Sequence, residues 1–235
     1  MEVKEVIRVE NLVKKFGNFV ALNGVNLSIV GDGITSIIGP NGAGKTTLIN
    51  VITGRLKPDR GKILFMGRDI TGLQPHKIVR MGISRTFQVI NLFSGMTVYQ
   101  NVLIASLNRG EDSRGLVEDV LRSFRLESYR DLEVYRLPHG LQRLVEIAVA
   151  VATKPKLLLL DEPTAGLNPN EKDLVVELIK DLEKQIPIVM VEHDMDIVFN
   201  ISRRVIVMNK GEVIASGTPD EIANNKYVKE IYLGV

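Results

Sequence analysis

The sequence contains no cysteine. That excludes disulfides and zinc–thiolate centres and leaves a reducing compartment open. It also lacks any apolar run near the roughly 18 residues that a membrane-spanning helix needs. The longest runs, such as Leu157–Leu160, have the length of buried strands. The amino terminus, MEVKEVIRVENL, alternates charged and apolar residues and holds no secretion-signal core. Neither sign of charge dominates, because 30 basic and 28 acidic residues leave a net charge of +2. Such a balance offers no electrostatic footprint for nucleic acid, and no long basic run interrupts it. The chain is therefore expected to be soluble, to bind no nucleic acid, and to reach a membrane only through a partner.

What is present fits one large domain, with or without a subdomain: 235 residues, 45% hydrophobic and 25% charged. Val6–Val9, Val25–Ile29 and Lys62–Phe65 are short and read as strands. Ile34–Ile38 is an apolar strand running into a glycine-rich turn, and Lys45–Thr53 reads as a helix stopped by Gly54. Met96–Leu107 and Gly115–Phe124 carry apolar residues at helical spacing around a polar loop, Asn108–Arg114. Leu141–Ala152 is a further helix, ending before Lys154-Pro155. Beyond it, strands Leu157–Leu160, Ile188–Val191, Val205–Met208 and Val213–Ala215 alternate with helices Asn170–Lys184 and Asp194–Ile201. That alternation predicts an α/β fold with a mostly parallel sheet covered on both faces. The expected division is an α/β core of residues 1–88 and 156–235, with a helical subdomain, 89–155, inserted into it.

Gly39-Pro40-Asn41-Gly42-Ala43-Gly44-Lys45-Thr46 fits the phosphate-binding loop pattern and is followed by Thr47. Glycines let the backbone turn tightly, so that several N–H groups aim at phosphate oxygens. The helix opening near Lys45 adds its positive end. Lys45 supplies a cation for the β- and γ-phosphates, and the Thr46 hydroxyl can ligate Mg2+. With glycine near 7% of residues, the four fixed positions match by accident in roughly one chain in a hundred of this length. Position between a strand and a helix lowers that further.

Leu157-Leu158-Leu159-Leu160-Asp161-Glu162 places two carboxylates at the end of an apolar strand. Asp161 is expected to hold the Mg2+ shell beside the phosphate loop, and Glu162 to polarise an attacking water. Taken alone, the segment is equally an ordinary strand ending in a charged turn.

With these two motifs the chain resembles the ATP-binding subunits of ABC transporters over nearly its whole length. The resemblance implies a P-loop NTPase fold with a RecA-like core sheet, an N-terminal antiparallel β portion and an inserted helical subdomain. It implies ATP and Mg2+ as ligands, and ATP hydrolysis coupled to transport. Phe16, in Lys15-Phe16-Gly17, stands where the family stacks an aromatic ring on adenine. Gln88, in Arg85-Thr86-Phe87-Gln88, matches a glutamine implied to touch Mg2+ and sense the transport partner. His193, in Val191-Glu192-His193-Asp194, matches a histidine implied to contact the γ-phosphate, and Gly166-Leu167-Asn168-Pro169 matches a loop that crosses the dimer interface. Each has a plainer reading: core packing for the phenylalanine, a solvated loop for the glutamine, structure for the histidine, a helix start for Asn-Pro.

One motif departs from the family. Its signature loop reads Leu-Ser-Gly-Gly-Gln and closes over the partner's ATP, whereas this chain has Leu137-Pro138-His139-Gly140-Leu141. Pro138 offers neither hydroxyl nor N–H, so it cannot donate to a phosphate or cap a helix as serine does. Gly82–Gln88, Leu92–Val98, Ala165–Pro169 and the ending Tyr232-Leu233-Gly234 resemble branched-chain amino acid importers; lipopolysaccharide-export ATPases share the ending and length. The implied partners are transmembrane permease subunits, a second ATP-binding subunit in a homo- or heterodimer, and, indirectly, an extracytoplasmic substrate-binding protein. The implied location is the cytoplasm, peripheral on the inner face of the membrane. A P-loop kinase or a non-transport ABC protein are readings of another class, for which no acceptor site, second ATP domain or heptad run is visible.

Overall fold

The computed structural model describes residues 5–107 and 113–233. Along the chain the first half forms β1 (Glu5–Phe16), β2 (Phe19–Val30), β3 (Ile34–Ile38), α1 (Lys45–Ile52), β4 (Arg60–Phe65), β5 (Arg68–Asp69), α2 (Pro75–Met81) and β6 (Ile83–Arg85). Helices α3 (Val98–Ser106), α4 (Ser113–Ser123) and α5 (His139–Ala152) follow, with 3-10 turns at Glu127–Tyr129 and Val134–Arg136. The remainder is β7 (Leu157–Asp161), α6 (Pro169–Leu182), β8 (Ile188–Val191), α7 (Met195–Ile201), β9 (Arg204–Asn209), β10 (Glu212–Gly217), α8 (Pro219–Ala223) and α9 (Lys226–Leu233).

Two sheets result. One is antiparallel in the order β2-β1-β4-β5; the other has the order β10-β9-β3-β8-β7-β6 and is parallel except for β10. Every residue of β3, β7 and β8 is buried, because both faces of the parallel sheet are covered. The two faces divide the side chains by parity. Leu158, Leu160, Ile188 and Met190 pack with Val145 and Ala148 of α5, Val175 of α6 and Phe124 just after α4. Leu157, Leu159, Val189 and Val191 pack with α1 and with Val9, Leu12 and Ile63 of the antiparallel sheet. Four of the parallel strands, β3, β8, β7 and β6, thus lie side by side with their C-terminal ends on one edge.

Several boundaries differ from those expected. β1 and β2 are 12 residues each, longer than the segments read from β-branched residues, because their outer faces carry polar side chains. The helix expected from Met96 begins at Val98, because Thr97 and Gln100 form a capping box there. Helix α5 begins at His139 rather than Leu141. The expected loop Asn108–Arg114 lies outside the described residues at 108–112, and Ser113 and Arg114 belong to α4. Helix α2, strand β6 and helices α8 and α9 were not anticipated. The first two are seven and three residues long, too short to show periodicity. For α8 the signal is in the sequence: Thr218 caps it reciprocally with Glu221, and Pro219 is its first residue.

Phe124, 1% exposed, anchors the helices between β6 and β7 against the sheet. Phe124→Ala should lower stability by about 3–5 kcal/mol. Thermal unfolding measures it, and a shift under a few degrees would mean that these helices do not share the sheet's core.

Candidate functional site

The phosphate loop leaves β3 at Ile38 and is shaped by close backbone approach. Gly39 has φ +155, and a Cβ there would lie 2.2 Å from the Met208 carbonyl oxygen on β9. Gly44, with φ +102, starts α1, and no side chain caps that helix, so its first amides are available to an anion. Lys45 is buried and donates Nζ to the carbonyls of Gly39 at 2.6 Å and Pro40 at 3.1 Å. Burial pulls its ammonium below the ordinary lysine range, against the opposing charges of Glu162 and Asp161. A bound polyphosphate would favour the charged form.

Asp161 is the last residue of β7 and is 3% exposed. Burial pushes its carboxyl above the usual range, and the Arg85 guanidinium at 3.2 Å opposes that rise. Arg85 also donates to Asn50 Oδ1 at 2.8 Å and Thr53 Oγ1 at 3.0 Å, so it is fixed to the end of α1 while it holds Asp161. Thr46, Gln88 and Asp161 line one cavity of about 360 Å³. This set of oxygen donors suits a hard cation such as Mg2+. Among the described residues no group of three or more His, Asp or Glu side chains could cage a metal, so Mg2+ would be held together with nucleotide phosphates, which is its usual mode.

Glu162 has φ +50, a conformation that costs a non-glycine residue on the order of 1 kcal/mol or more. Its N–H is bound to the Val191 carbonyl at 2.9 Å. The turn directs the carboxylate between two partners. His193 Nε2 lies 2.7 Å from Oε1, and Gln88 Nε2 donates to Oε2 at 3.0 Å. The three side chains come from the ends of β7, β8 and β6, where open α/β sheets gather ligands. Together with Ala21, Phe19 and residues 41–47 they line a second cavity, of about 280 Å³.

The two phenylalanines of the β1–β2 hairpin take different positions. Phe16 is absent from the lining of that cavity and has the Lys14 ammonium 5.5 Å from its ring centroid. Phe19, its cross-strand partner, lines the cavity and is 62% exposed. Phe19 carried no motif, although alternation across the hairpin could have pointed to it.

Leu137, Pro138, His139, Gly140 and Leu141 at the start of α5, and Gly166, Leu167 and Asn168 before α6, line neither cavity. They lie next to each other instead. Pro138 caps α5 without a side-chain bond. The missing acceptor comes from α6, where Glu171 Oε1 accepts the Gly140 N–H at 3.2 Å. Glu171 Oε2 accepts the Asn168 N–H at 3.1 Å, within a reciprocal capping box. A Cβ on Gly140 would meet the Glu171 side chain at 2.6 Å, so a larger residue there would displace the carboxylate that closes the start of α5.

Sequence reasoning also passed over Glu192. Its buried carboxylate accepts the Thr164 N–H at 3.1 Å and hydroxyl, and the His193 N–H at 2.8 Å, joining the turn after Glu162 to the histidine loop. A charged residue directly after an apolar strand was the available signal.

Residues 22–165 match the family model described as ABC transporter, and residues 212–235 match that of the branched-chain amino acid ATP-binding cassette transporter. The high-affinity branched-chain amino acid transport ATP-binding protein BraF of Pseudomonas aeruginosa is 38% identical, with 98% of both chains covered. LivG of Escherichia coli K12, which bears the same description, is 40% identical over 97% of this chain and 98% of its own. Among solved structures, a nucleotide-free ATP-binding cassette from an ABC transporter superimposes with a TM-score of 0.89 at 39% identity, covering 98% of this chain and 100% of the other. A cassette in its ADP conformation gives 0.88 at 38%, covering 98% and 99%. The arrangement of phosphate loop, carboxylates and histidine on one sheet edge is thus found in a chain that belongs to the ATP-binding subunits of ABC transporters.

Proposed function

We propose that this chain hydrolyses Mg2+–ATP to ADP and phosphate as the motor of a branched-chain amino acid importer, working at the cytoplasmic face of the membrane. The observation that carries the chemistry is Glu162, held between Gln88 and His193 at the mouth of the cavity that the phosphate loop lines. In this reading the loop and Lys45 bind the triphosphate. Thr46, Asp161 and Gln88 would hold Mg2+, which supplies charge neutralisation at the phosphates. Glu162 takes a proton from water as the water oxygen attacks the γ-phosphorus, and the bridging oxygen leaves with ADP. His193 donates to Glu162 or to a phosphate oxygen as the carboxylate turns to the water. The adenine is assigned to the aromatic hairpin, with Phe19 at the cavity and Phe16 beside it.

The importer assignment is supported by the relatives, which are branched-chain amino acid transport ATP-binding proteins, and by the C-terminal family match. It brings two permease subunits, an extracytoplasmic binding protein and a second ATP-binding subunit as partners, with residues 89–155 as the helical subdomain. The permease contact is assigned to the segment after Gln88, where Val89 is 80%, Phe93 58% and Met96 37% exposed. Ile90 and Leu92 are half-buried. The signature and interface loops are assigned to the partner cassette.

Glu162→Gln should leave ATP binding intact and lower turnover by roughly 10²-fold or more, whereas Lys45→Ala should weaken ATP binding itself. Phosphate release and nucleotide titration separate the two, and parental turnover in Glu162→Gln would remove the base assignment. A photo-cross-linker at Val89 or Phe93, in the assembled transporter, should capture a permease; capture of this chain's own core alone would refute the contact. Pro138 withholds a hydrogen bond to a charged phosphate, on the order of 1.5–3 kcal/mol, or roughly ten- to hundred-fold in closure. Pro138→Ser in the Glu162→Gln background should therefore tighten ATP-driven self-association by sedimentation. Equal association of the two versions would show that the proline is harmless.

A further inference from the structure

Arg143 and Glu146 stand one turn apart on α5 and are 1% and 4% exposed. Arg143 Nη1 donates to Glu146 Oε2 at 2.7 Å. The pair does not stop at itself. Nη1 also donates to the Phe87 carbonyl at 2.8 Å, Nη2 donates to the Gln88 carbonyl at 3.0 Å, and Glu146 Oε1 accepts the Phe87 N–H at 3.1 Å. Two side chains thereby fix the backbone of the residue whose carboxamide reaches Glu162.

The segment before it is held by other means. Arg85 is tied to Asn50, Thr53 and Asp161, the Thr86 N–H is bound to the Leu159 carbonyl, and the Thr86 hydroxyl accepts the Asp161 N–H. None of these bonds involves Arg143 or Glu146. The ion pair holds the backbone groups of residues 87 and 88.

Stability does not account for the pair. A buried ion pair gains little over apolar side chains of similar volume. Burial also pushes the Glu146 carboxyl above its ordinary range, against the opposing Phe87 amide and Arg143. Arg143 Nε, buried, has no acceptor among the described residues, and an unmet buried donor is unfavourable. The flanking residues Leu144, Val145 and Ile147 already fill the core.

We propose that Arg143 and Glu146 are positioning residues for hydrolysis: they clamp the 87–88 backbone so that Gln88 meets Glu162, and they tie α5 to the general base. The inference rests on the hydrolytic reading of the site. It makes the orientation of α5 a determinant of turnover, and leaves nucleotide affinity to the Lys45 loop.

The test compares the full-length chain with a double variant, Arg143→Met with Glu146→Leu, which removes both charges at similar volume. The melting temperature should stay equal or rise, and affinity for a fluorescent ATP analogue should stay within about twofold. Hydrogen exchange at the Phe87 amide should quicken by about tenfold or more, and kcat for Mg2+–ATP should fall by about tenfold or more. Glu146→Gln, which keeps an acceptor for Phe87, should recover part of that kcat. A double variant with kcat near the parental value, or one whose kcat, affinity and melting temperature fall together, overturns the proposal. If the parental chain releases no phosphate, the hydrolytic reading fails; unchanged Phe87 exchange then refutes the clamp separately.

Discussion

A strand buried on both faces can carry charge only where it ends. That constraint organises this protein. Short of their ends, β3, β7 and β8 carry no charged side chain, and β3 buries only the neutral hydroxyls of Thr35 and Ser36, since an unpaired buried charge is too unfavourable to keep. Lys45, Asp161, Glu162 and His193 therefore collect beyond or at the ends of neighbouring parallel strands. Even there burial is felt: the lysine is pulled down and the aspartate pushed up. Both are groups whose charge a bound Mg2+–triphosphate would complement.

The polar edge is held by contacts that skip along the chain. Asp161 is oriented by Arg85 on the adjacent strand, the histidine loop by Glu192, and Gln88 by two residues of α5. Each holding residue is itself buried or nearly so, which keeps its rotamer from wandering. Phe87 adds a further restraint, because the guanidinium groups of Arg55 and Arg85 lie 4.9 and 4.6 Å from its ring centroid. The four residues from Arg85 to Gln88 are in this way pinned to α1, to β7 and to α5, and they join three parts of the molecule.

The groups that the structure gathers at the ends of the parallel strands include those whose signal is local. The loop from Gly39 to Thr46 is a contiguous pattern. Asp161 and Glu162 follow an apolar run directly, and β3 and β8 have the limits expected because double-sided burial makes their ends abrupt. Arg85, Glu146 and Arg143 gave no such signal. Their meaning lies in partners distant in sequence, 56 residues for Arg143 with Phe87 and 76 for Arg85 with Asp161. Sequence spacing does not encode such distances. Strand β6 was missed for a related reason: its three residues are made a strand by the neighbouring β7 rather than by their own pattern. The aromatic at the cavity shows the limit of motif position, since the hairpin turns Phe19 toward it while Phe16 lies off its lining.

Glu171 gives the molecule a mechanical property. One carboxylate closes the starts of two helices, α5 and α6, by accepting from Gly140 and Asn168. The two loops that precede these helices are therefore not independent levers. A torque on α5 loads the Asn168 turn through a single side chain, and displacement of either loop must carry the other along or break the shared link. Because the link is a charge-assisted bond at a half-exposed side chain, its stiffness is set by the solvent as well as by the fold, and it softens as added salt screens the carboxylate.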